Sequence, residues 1–429
     1  MDRISGVRKI MRQIELFRKG IDKEYAKLTF KRFRDESFDF KEIPASSGVY
    51  GIHPYPAMFH FLVVRKLLKE FSKRGDFVLD PFMGSGVSAV ECLISGRNFI
   101  GYDINPLAVL IAKVRTTPIK SNLLLEVLEH IIQDFKNQKP EFLEFDNIYY
   151  WFDKEVVKDL SRLRQSIFKI EDSVARDFFK VVFSDTVRRV SKARYDEFKL
   201  VRKRENNSIR VLKIFKEIAL KNIGLLVRFY ENFPPTKTIL ILEERDILNG
   251  IPLEDESIDL VITSPPYGDS RTTVAYGQFS KLPLRWLGIE KDVDKVSLGA
   301  KIREIHYNLP SEILYKYIEK IAIEDRKRAK EVFSYYEDLY YSIRIISQKV
   351  KRDGLVCFVV GNRKVKGLEL PTDKISVDFF SAEGFEHQIT IIREISRKRM
   401  PHKNSPSNIR GIKDSTMKYE YIVILKKLN

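Results

Sequence analysis

Two short stretches of this chain combine acids, glycines and prolines in ways that could serve chemistry. In the first, DPFMGSG, the carboxylate of Asp80 precedes a glycine loop, and Asp103 lies one helix and one strand further on. Glycine lets the backbone turn tightly and a ligand approach closely, and an acid at the later position suits a ribose diol. Because a carboxylate at the loop would repel a pyrophosphate but attract a cationic cofactor, the pattern favours S-adenosylmethionine over NAD.

The second stretch is TSPPY at residues 263–267. Two consecutive prolines fix the backbone and remove two N–H donors, which leaves carbonyl acceptors, the Ser264 hydroxyl and the Tyr267 ring. Acceptors suit a substrate that presents an NH₂ group, and an aromatic ring suits a planar base. A rigid proline turn with a core tyrosine is the simpler interpretation of the same residues.

The surrounding pattern predicts the elements that position these loops. Apolar strands precede Asp80, Asp103 and Ser264, and helical segments separate them. Further strands are predicted at 237–248, at 353–362 and, as an antiparallel pair, at 385–395 and 418–427. The predicted fold is α/β, a doubly wound and mostly parallel seven-stranded sheet with an antiparallel C-terminal hairpin and helical insertions. Ligands of such sheets bind beyond the carboxyl ends of the strands.

The chain divides into four predicted regions. Residues 1–50 form a helical lead-in, 51–117 carry the cofactor half of the sheet, and 118–237 form a helical insertion. Residues 238–429 carry the catalytic half, with a second helical insertion at about 271–350.

Composition narrows the class of protein. With 76 Lys and Arg against 59 Asp and Glu, the 429 residues carry a net charge of +17, which favours a polyanionic partner. Eleven basic and three acidic residues fall within 187–216. The two cysteines exclude a disulfide framework, and the N-terminus lacks an apolar signal-peptide core. We expect a soluble, cytoplasmic protein, and the six histidines show no metal-binding spacing.

Basic residues in three stretches are candidates for phosphate contacts or, beside the second loop, for the edge of a base pocket. A solvated surface is the simpler interpretation for any one of them. The residues predicted to contact nucleic acid are Arg188, Arg189, Lys192, Arg194, Arg202, Lys203, Arg204, Arg271, Thr272, Tyr276, Arg397, Lys398 and Arg399.

Together, DPFMGSG and TSPPY resemble the two signature motifs of the S-adenosylmethionine-dependent amino-methyltransferases of DNA, which methylate N4 of cytosine or N6 of adenine. The stretch GIHPYPAMFHFLV at 51–63 resembles the cofactor-side motif of that family. Serine at the second position of TSPPY is similar to the N4-cytosine members. The resemblance covers roughly 50–116, 237–270 and 353–427, but not the insertions.

The resemblance implies roles for individual residues. Ser264, Pro265, Pro266 and Tyr267 would hold the target amino group and stack on its base. The residues that would bind the cofactor are His53, Tyr55, Pro56, Asp80, Pro81, Phe82, Gly84, Ser85, Gly86, Asp103, Ile104, Asn105, Asp246 and Thr263.

The leading prediction is a DNA N4-cytosine methyltransferase acting on a flipped base in duplex DNA, as the protective partner of a restriction endonuclease. An N6-adenine enzyme, an RNA base methyltransferase and a catalytically silent binding module remain alternatives. C5-cytosine chemistry is disfavoured because it needs a nucleophilic cysteine, and Cys92 and Cys357 lie in a predicted helix and an apolar strand. Either insertion could recognise the target sequence.

Overall fold

The computed structural model describes residues 31–202, 210–269, 273–395, 403–404, 414–415 and 417–428. Its strands are β1 (Arg32–Arg34), β2 (Phe77–Asp80), β3 (Asn98–Asp103), β4 (Leu240–Glu244), β5 (Ile258–Thr263), β6 (Val350–Val360), β7 (Lys364–Val365), β8 (Leu368–Glu369), β9 (Phe385–Glu394), β10 (Lys403–Asn404), β11 (Asp414–Ser415) and β12 (Tyr419–Lys427). Its α-helices are α1 (Phe61–Phe71), α2 (Val87–Ser95), α3 (Pro106–Thr116), α4 (Ser121–Asn137), α5 (Ile148–Trp151), α6 (Lys154–Phe168), α7 (Ser173–Val190), α8 (Val211–Asn232), α9 (Tyr276–Leu287), α10 (Val293–Val296), α11 (Glu312–Glu324), α12 (Arg326–Lys349) and α13 (Thr372–Ala382).

The central sheet has eight strands in the order β1-β9-β12-β6-β5-β2-β3-β4. Strands β4, β3, β2, β5 and β6 run parallel, and β12 pairs antiparallel with both β6 and β9. The predicted α/β fold with its C-terminal antiparallel hairpin is therefore confirmed. The predicted seven strands are joined by β1, a three-residue edge strand parallel to β9.

Alternation along the strands builds a core on each face of the sheet. In β2, Val78 faces one core and Leu79 the other, as do Leu260 and Val261 in β5. Helices α1–α4 and α6–α9 contribute side chains to the first core, and α11–α13 contribute to the second. Among the described residues, no helix is long and apolar enough to cross a membrane.

The predicted helical lead-in differs from what is seen over 31–50. The helical spacing that suggested it lies in residues 7–17, which fall outside the described residues. Residues 31–50 instead form β1, one short 3₁₀ turn at Glu36–Phe38 and the start of another at Gly48–Gly51. Their apolar side chains do not recur at helical spacing, and Pro44 and Gly48 interrupt the stretch.

A buried arginine near the end of α3 fastens the glycine loop to the segment that precedes α1. The Arg115 guanidinium donates to the carbonyl and hydroxyl oxygens of Ser85, at 2.8 and 2.7 Å, and to the Tyr50 carbonyl at 2.6 Å. It is fully buried, and this burial lowers its pKa to about 9. Three loop acceptors thus depend on one side chain.

Replacing this arginine should destabilise the protein. In Arg115→Met, each buried acceptor that loses its donor costs about 1–3 kcal/mol. Part of this cost is offset because the variant no longer buries a charge. We therefore expect the free energy of unfolding to fall by about 2–4 kcal/mol. Chemical denaturation measures it. The control is Arg97→Met, which removes donors to the Ser95, Leu68 and Ser72 carbonyls at a partly exposed position where water can replace them. An Arg115→Met loss no larger than that of Arg97→Met would contradict this role.

Candidate active site

The two loops predicted to do chemistry lie side by side at the carboxyl ends of β2 and β5, which are neighbours in the sheet. They border one cleft of about 890 Å³, part of which is open to solvent. Parallel strands bring their carboxyl ends to one edge, which explains why motifs that are far apart in sequence meet here.

Asp80 joins the two loops directly. Its carboxylate accepts from the Thr263 hydroxyl at 2.7 Å, from the Ser88 hydroxyl at 2.8 Å and from the Phe82 N–H at 3.2 Å. The side chain also borders the cleft. Burial raises its pKa to about 6, although the three hydrogen bonds act in the opposite direction.

Asp103 occupies the next strand end along the same edge. Its two oxygens accept from the N–H groups of Gly84 and Asn105 at 2.9 and 2.8 Å, and burial raises its pKa to about 6. Gly84 adopts a left-handed conformation, φ +52°, that suits glycine. The Asn105 amide binds the Tyr55 and Ser280 hydroxyls, so this side chain holds the wall of the cleft together.

The Ser-Pro-Pro-Tyr loop is held from several sides. The Tyr335 hydroxyl donates to the Pro266 carbonyl at 2.5 Å, and the Tyr267 hydroxyl donates to Glu420 at 3.0 Å. Gly361, at the end of β6, lies against the Tyr267 ring, since a Cβ there would come within 2.7 Å of Cδ2. The loop is therefore rigid where its acceptors border the cleft.

Most of the predicted cofactor and catalytic residues line the cleft. They are Tyr55, Pro56, Asp80, Pro81, Phe82, Gly84, Ser85, Asp103, Ile104, Asn105, Asp246, Ser264 and Pro266. Thr263 lies behind this wall as the donor to Asp80. Tyr267 is not one of the lining residues, but it contacts one of them, because the Ser264 hydroxyl donates to the Tyr267 oxygen at 3.1 Å. Pro265, between them in the loop, is buried.

Two predicted cofactor residues have structural roles instead. His53 is completely buried, with Nε2 2.9 Å from the Ser184 hydroxyl and its pKa lowered by burial to about 4. It ties the segment before α1 to α7 and does not close the cleft. Gly86 begins α2 at a close approach to α3, where a Cβ would lie 2.5 Å from the Ala112 Cβ.

Other residues of the cleft escaped the sequence prediction. Val293, Val296, Ser297 and Leu298 come from the second insertion, and the Val296 side chain is 40% exposed at the rim. Nothing in their sequence distinguishes them from an ordinary helical turn. Tyr276, predicted to contact DNA, lines the cleft beside Tyr55, with ring centroids 6.1 Å apart.

The basic stretch at the end of α7 is only partly available to a partner. Arg188 is 4% exposed and donates to the carbonyls of Phe279 and Glu197, so the prediction that it contacts phosphate is wrong. The other described candidates reach the surface to different degrees and rest on acids or rings. Arg189 pairs with Asp185, Lys192 with Asp153, Arg194 with Asp196 and Glu197, and Arg202 lies over Tyr150.

The remaining predicted DNA contacts lie outside the described residues, namely Lys203, Arg204, Arg271, Thr272, Arg397, Lys398 and Arg399. Cys92 and Cys357 are fully buried, and burial raises the pKa of both thiols, which leaves them poor nucleophiles. Within the described ranges, no group of three or more His, Cys, Asp and Glu side chains could hold a metal ion.

Comparison with known proteins places this cleft in a family. A family model of N6- and N4-type methyltransferases, described as DNA methylase, matches residues 9–114. The Type II methyltransferase M.MvaI of Kocuria varians is 37% identical over 414 residues, which span 87% of this chain and 90% of that protein. M.MjaII of Methanocaldococcus jannaschii, another Type II methyltransferase, is 38% identical over 32% of this chain and 24% of its own length.

A solved SAM-dependent methyltransferase from Methanosarcina mazei is 10% identical over 88% of this chain and 99% of that one, with a TM-score of 0.30, a likeness too weak to support any inference. The similarity to M.MvaI, by contrast, covers most of the length of both proteins. It confirms S-adenosylmethionine as the cofactor. The chain belongs to the S-adenosylmethionine-dependent amino-methyltransferases of DNA, of the Type II restriction–modification kind.

Proposed function

We propose that this enzyme transfers the methyl group to N4 of a cytosine that is flipped out of duplex DNA. The observation that carries the proposal is the position of Ser264, a hydroxyl acceptor at the second place of TSPPY, in the same cleft as Asp80 and Asp103. Serine at that place resembles the N4-cytosine members of the family. A base inside a duplex cannot reach such a cleft without leaving the stack.

The side chains of the cleft fit the cofactor. Two carboxylates, the buried Asp80 and the partly buried Asp103, border a space whose other walls are largely apolar. A sulfonium cation with an ammonium group and a ribose diol offers positive charge and hydroxyl donors to such acids. We propose that Asp80 accepts from the ammonium, that Asp103 accepts from the ribose hydroxyls and that Asp246 accepts from the adenine amino group.

Ser264 and the Pro265 carbonyl would activate the target. The lone pair of an exocyclic amino nitrogen is delocalised into the base, which makes the nitrogen a poor nucleophile. Hydrogen bonds from both N–H groups to these acceptors would draw the nitrogen towards tetrahedral geometry and free the lone pair, while the rigid loop holds it in position. S-adenosylmethionine supplies an electrophilic methyl group when bound.

The insertion at 118–237 would form the main DNA-binding and target-recognition region. Arg194 and Arg202 are exposed and offer positive charge to a DNA backbone. Arg202 lies over the Tyr150 ring, and Tyr149 and Tyr150 are about half exposed, so they offer aromatic surface beside it. The methylated sites would be those that a cognate restriction endonuclease cuts, so that the modification protects host DNA. The enzyme would act in the cytoplasm, where that DNA is modified.

The N6-adenine reaction is the second candidate. A cleft that accepts hydrogen bonds from an amino group suits either base, and the matching family model includes both types. Methylation of an RNA base is less favoured because the curated relatives are Type II methyltransferases.

Identifying the product separates these candidates. DNA incubated with the protein and S-adenosylmethionine is digested to nucleosides and analysed by mass spectrometry. We expect N4-methylcytosine. N6-methyladenine alone would replace the proposal with the second candidate, and activity on RNA with none on duplex DNA would overturn both.

Cofactor binding should depend on the charge of Asp80. Asp80→Ala should abolish measurable binding by isothermal titration calorimetry, because it removes the proposed partner of the ammonium and the link to Thr263 and Ser88. The wild-type dissociation constant should rise as the pH falls below about 6, where Asp80 and Asp103 become protonated in the free protein, by about tenfold per pH unit if one ionised carboxylate is needed.

Asp80→Asn separates this charge effect from folding, because it preserves the shape of the side chain. Its binding should be weak at pH 7.5 and depend less on pH than that of the wild type. Unchanged affinity in Asp80→Asn would contradict the assignment.

Arg202 should contribute one phosphate contact. Arg202→Gln should weaken DNA binding severalfold and reduce the slope of log K against log salt by about one, without changing cofactor affinity. The matched control is Arg344→Gln, which removes an arginine that also lies over a tyrosine ring, Tyr340, but on α12 across the sheet. Equal losses in the two variants would contradict a specific contact at Arg202.

A further inference from the structure

A chain of hydrogen bonds runs from the cleft to the last strand of the sheet. The Ser264 hydroxyl donates to the Tyr267 oxygen at 3.1 Å, and the Tyr267 hydroxyl donates to Glu420 Oε1 at 3.0 Å. The other oxygen of Glu420 binds the Arg393 guanidinium across the β9–β12 pair. Arg393 is 3% exposed, and its Nε donates to the Phe38 carbonyl at 2.9 Å.

The direction of this chain is set by its far end. Glu420 forms an ion pair with Arg393, and a carboxylate in an ion pair can only accept hydrogen bonds. The single hydroxyl hydrogen of Tyr267 is therefore donated to Glu420. The Tyr267 oxygen can then only accept a hydrogen bond from Ser264. The hydroxyl hydrogen of Ser264 is committed in turn to Tyr267.

Ser264 consequently presents lone pairs, and no hydrogen, to the cleft that it lines. A free serine hydroxyl can rotate, and would serve an amino group or a carbonyl oxygen equally well. A fixed acceptor can bind an N–H donor, but it cannot bind a carbonyl oxygen, because the lone pairs of the two oxygens repel each other. Once a bound base covers this acceptor, leaving it unpaired costs more free energy than one ordinary hydrogen bond contributes.

We propose that Glu420 is a positioning residue that acts through Tyr267 to fix Ser264 as an acceptor, and that this arrangement makes the enzyme reject a base with an oxo group in place of the target amino group. The proposal rests on the proposed function only in taking an exocyclic amino group as the target. For a cytosine target the rejected base is uracil, and for an adenine target it is hypoxanthine.

Tyr267→Phe is the most direct variant, since it keeps the aromatic ring and the Glu420–Arg393 ion pair but removes the connecting hydroxyl. Glu420→Gln tests the far end, because a glutamine amide can turn its NH₂ towards Tyr267 and reverse the chain. The control pair is Tyr340→Phe and Glu383→Gln, which removes a tyrosine–glutamate hydrogen bond of 2.8 Å between α12 and the turn after α13.

The modified site is first mapped in DNA treated with the wild-type protein, which identifies the target base. Dissociation constants are then measured for duplexes with the target base or its deaminated counterpart at that position. The oxo base also creates a mismatch that is easier to flip. This contribution is the same for every variant and cancels when the ratios of the two constants are compared between variants.

In Tyr267→Phe and Glu420→Gln the preference for the amino base should fall about tenfold relative to the wild type, the worth of about one hydrogen bond. We also expect kcat to fall, with cofactor affinity within about twofold of the wild-type value. The double variant should resemble Tyr267→Phe alone, because Glu420 acts through that hydroxyl. The control variants should keep the wild-type ratio.

An unchanged preference in Tyr267→Phe would overturn the proposal, and so would equal loss of affinity for both duplexes together with lost cofactor binding, which is the signature of a merely structural role. If Glu420→Gln fails to fold because Arg393 is left without its partner, Tyr267→Phe decides alone. Failure of the proposed function is seen separately, as a wild-type product other than N4-methylcytosine.

Discussion

The active cleft depends on one buried carboxylate that is bound by groups from two different loops. Asp80 ends β2, yet it accepts a hydrogen bond from Thr263 at the end of β5 and another from Ser88 inside α2. Burying a carboxylate costs free energy unless its oxygens accept hydrogen bonds. The position of Asp80 therefore depends on these two hydroxyls, and their positions depend on Asp80. This contact keeps the glycine loop and the Ser-Pro-Pro-Tyr loop in register, and a shift of one loop relative to the other would break the Thr263–Asp80 hydrogen bond.

The two sides of the cleft, both at this edge of the sheet, carry different groups, one set for the proposed cofactor binding and one for the proposed reaction. Asp80 and Asp103 place two carboxylates on the glycine-loop side, while Ser264 supplies a neutral acceptor on the other. Anchors from distant elements hold both sides: Arg115 fastens Ser85, Tyr335 fastens Pro266, and Glu420 fastens Tyr267. The proposed reaction needs this rigidity, because its main contribution to rate is the positioning of an amino nitrogen.

Local sequence patterns predicted the sheet and most of the cleft, because the strands alternate or run apolar and each motif follows a strand directly. They could not predict the anchors. Glu420 lies 153 residues from Tyr267 and Tyr335 lies 69 from Pro266, and no local pattern relates them. They also predicted more exposed basic surface than the structure shows, since Arg188 is buried and donates to two backbone carbonyls, a contact that no local pattern indicates. The short edge strand β1 lacks any alternation long enough to detect.

The most direct test of the account is a crystal structure with a non-reactive cofactor analogue and a duplex that contains the mapped target. We expect the ammonium of the analogue to lie about 3 Å from an Asp80 oxygen and the exocyclic nitrogen of the flipped base to lie about 3 Å from Ser264 Oγ. An analogue whose ammonium lies away from Asp80, or a flipped base whose amino group does not meet Ser264, would contradict it.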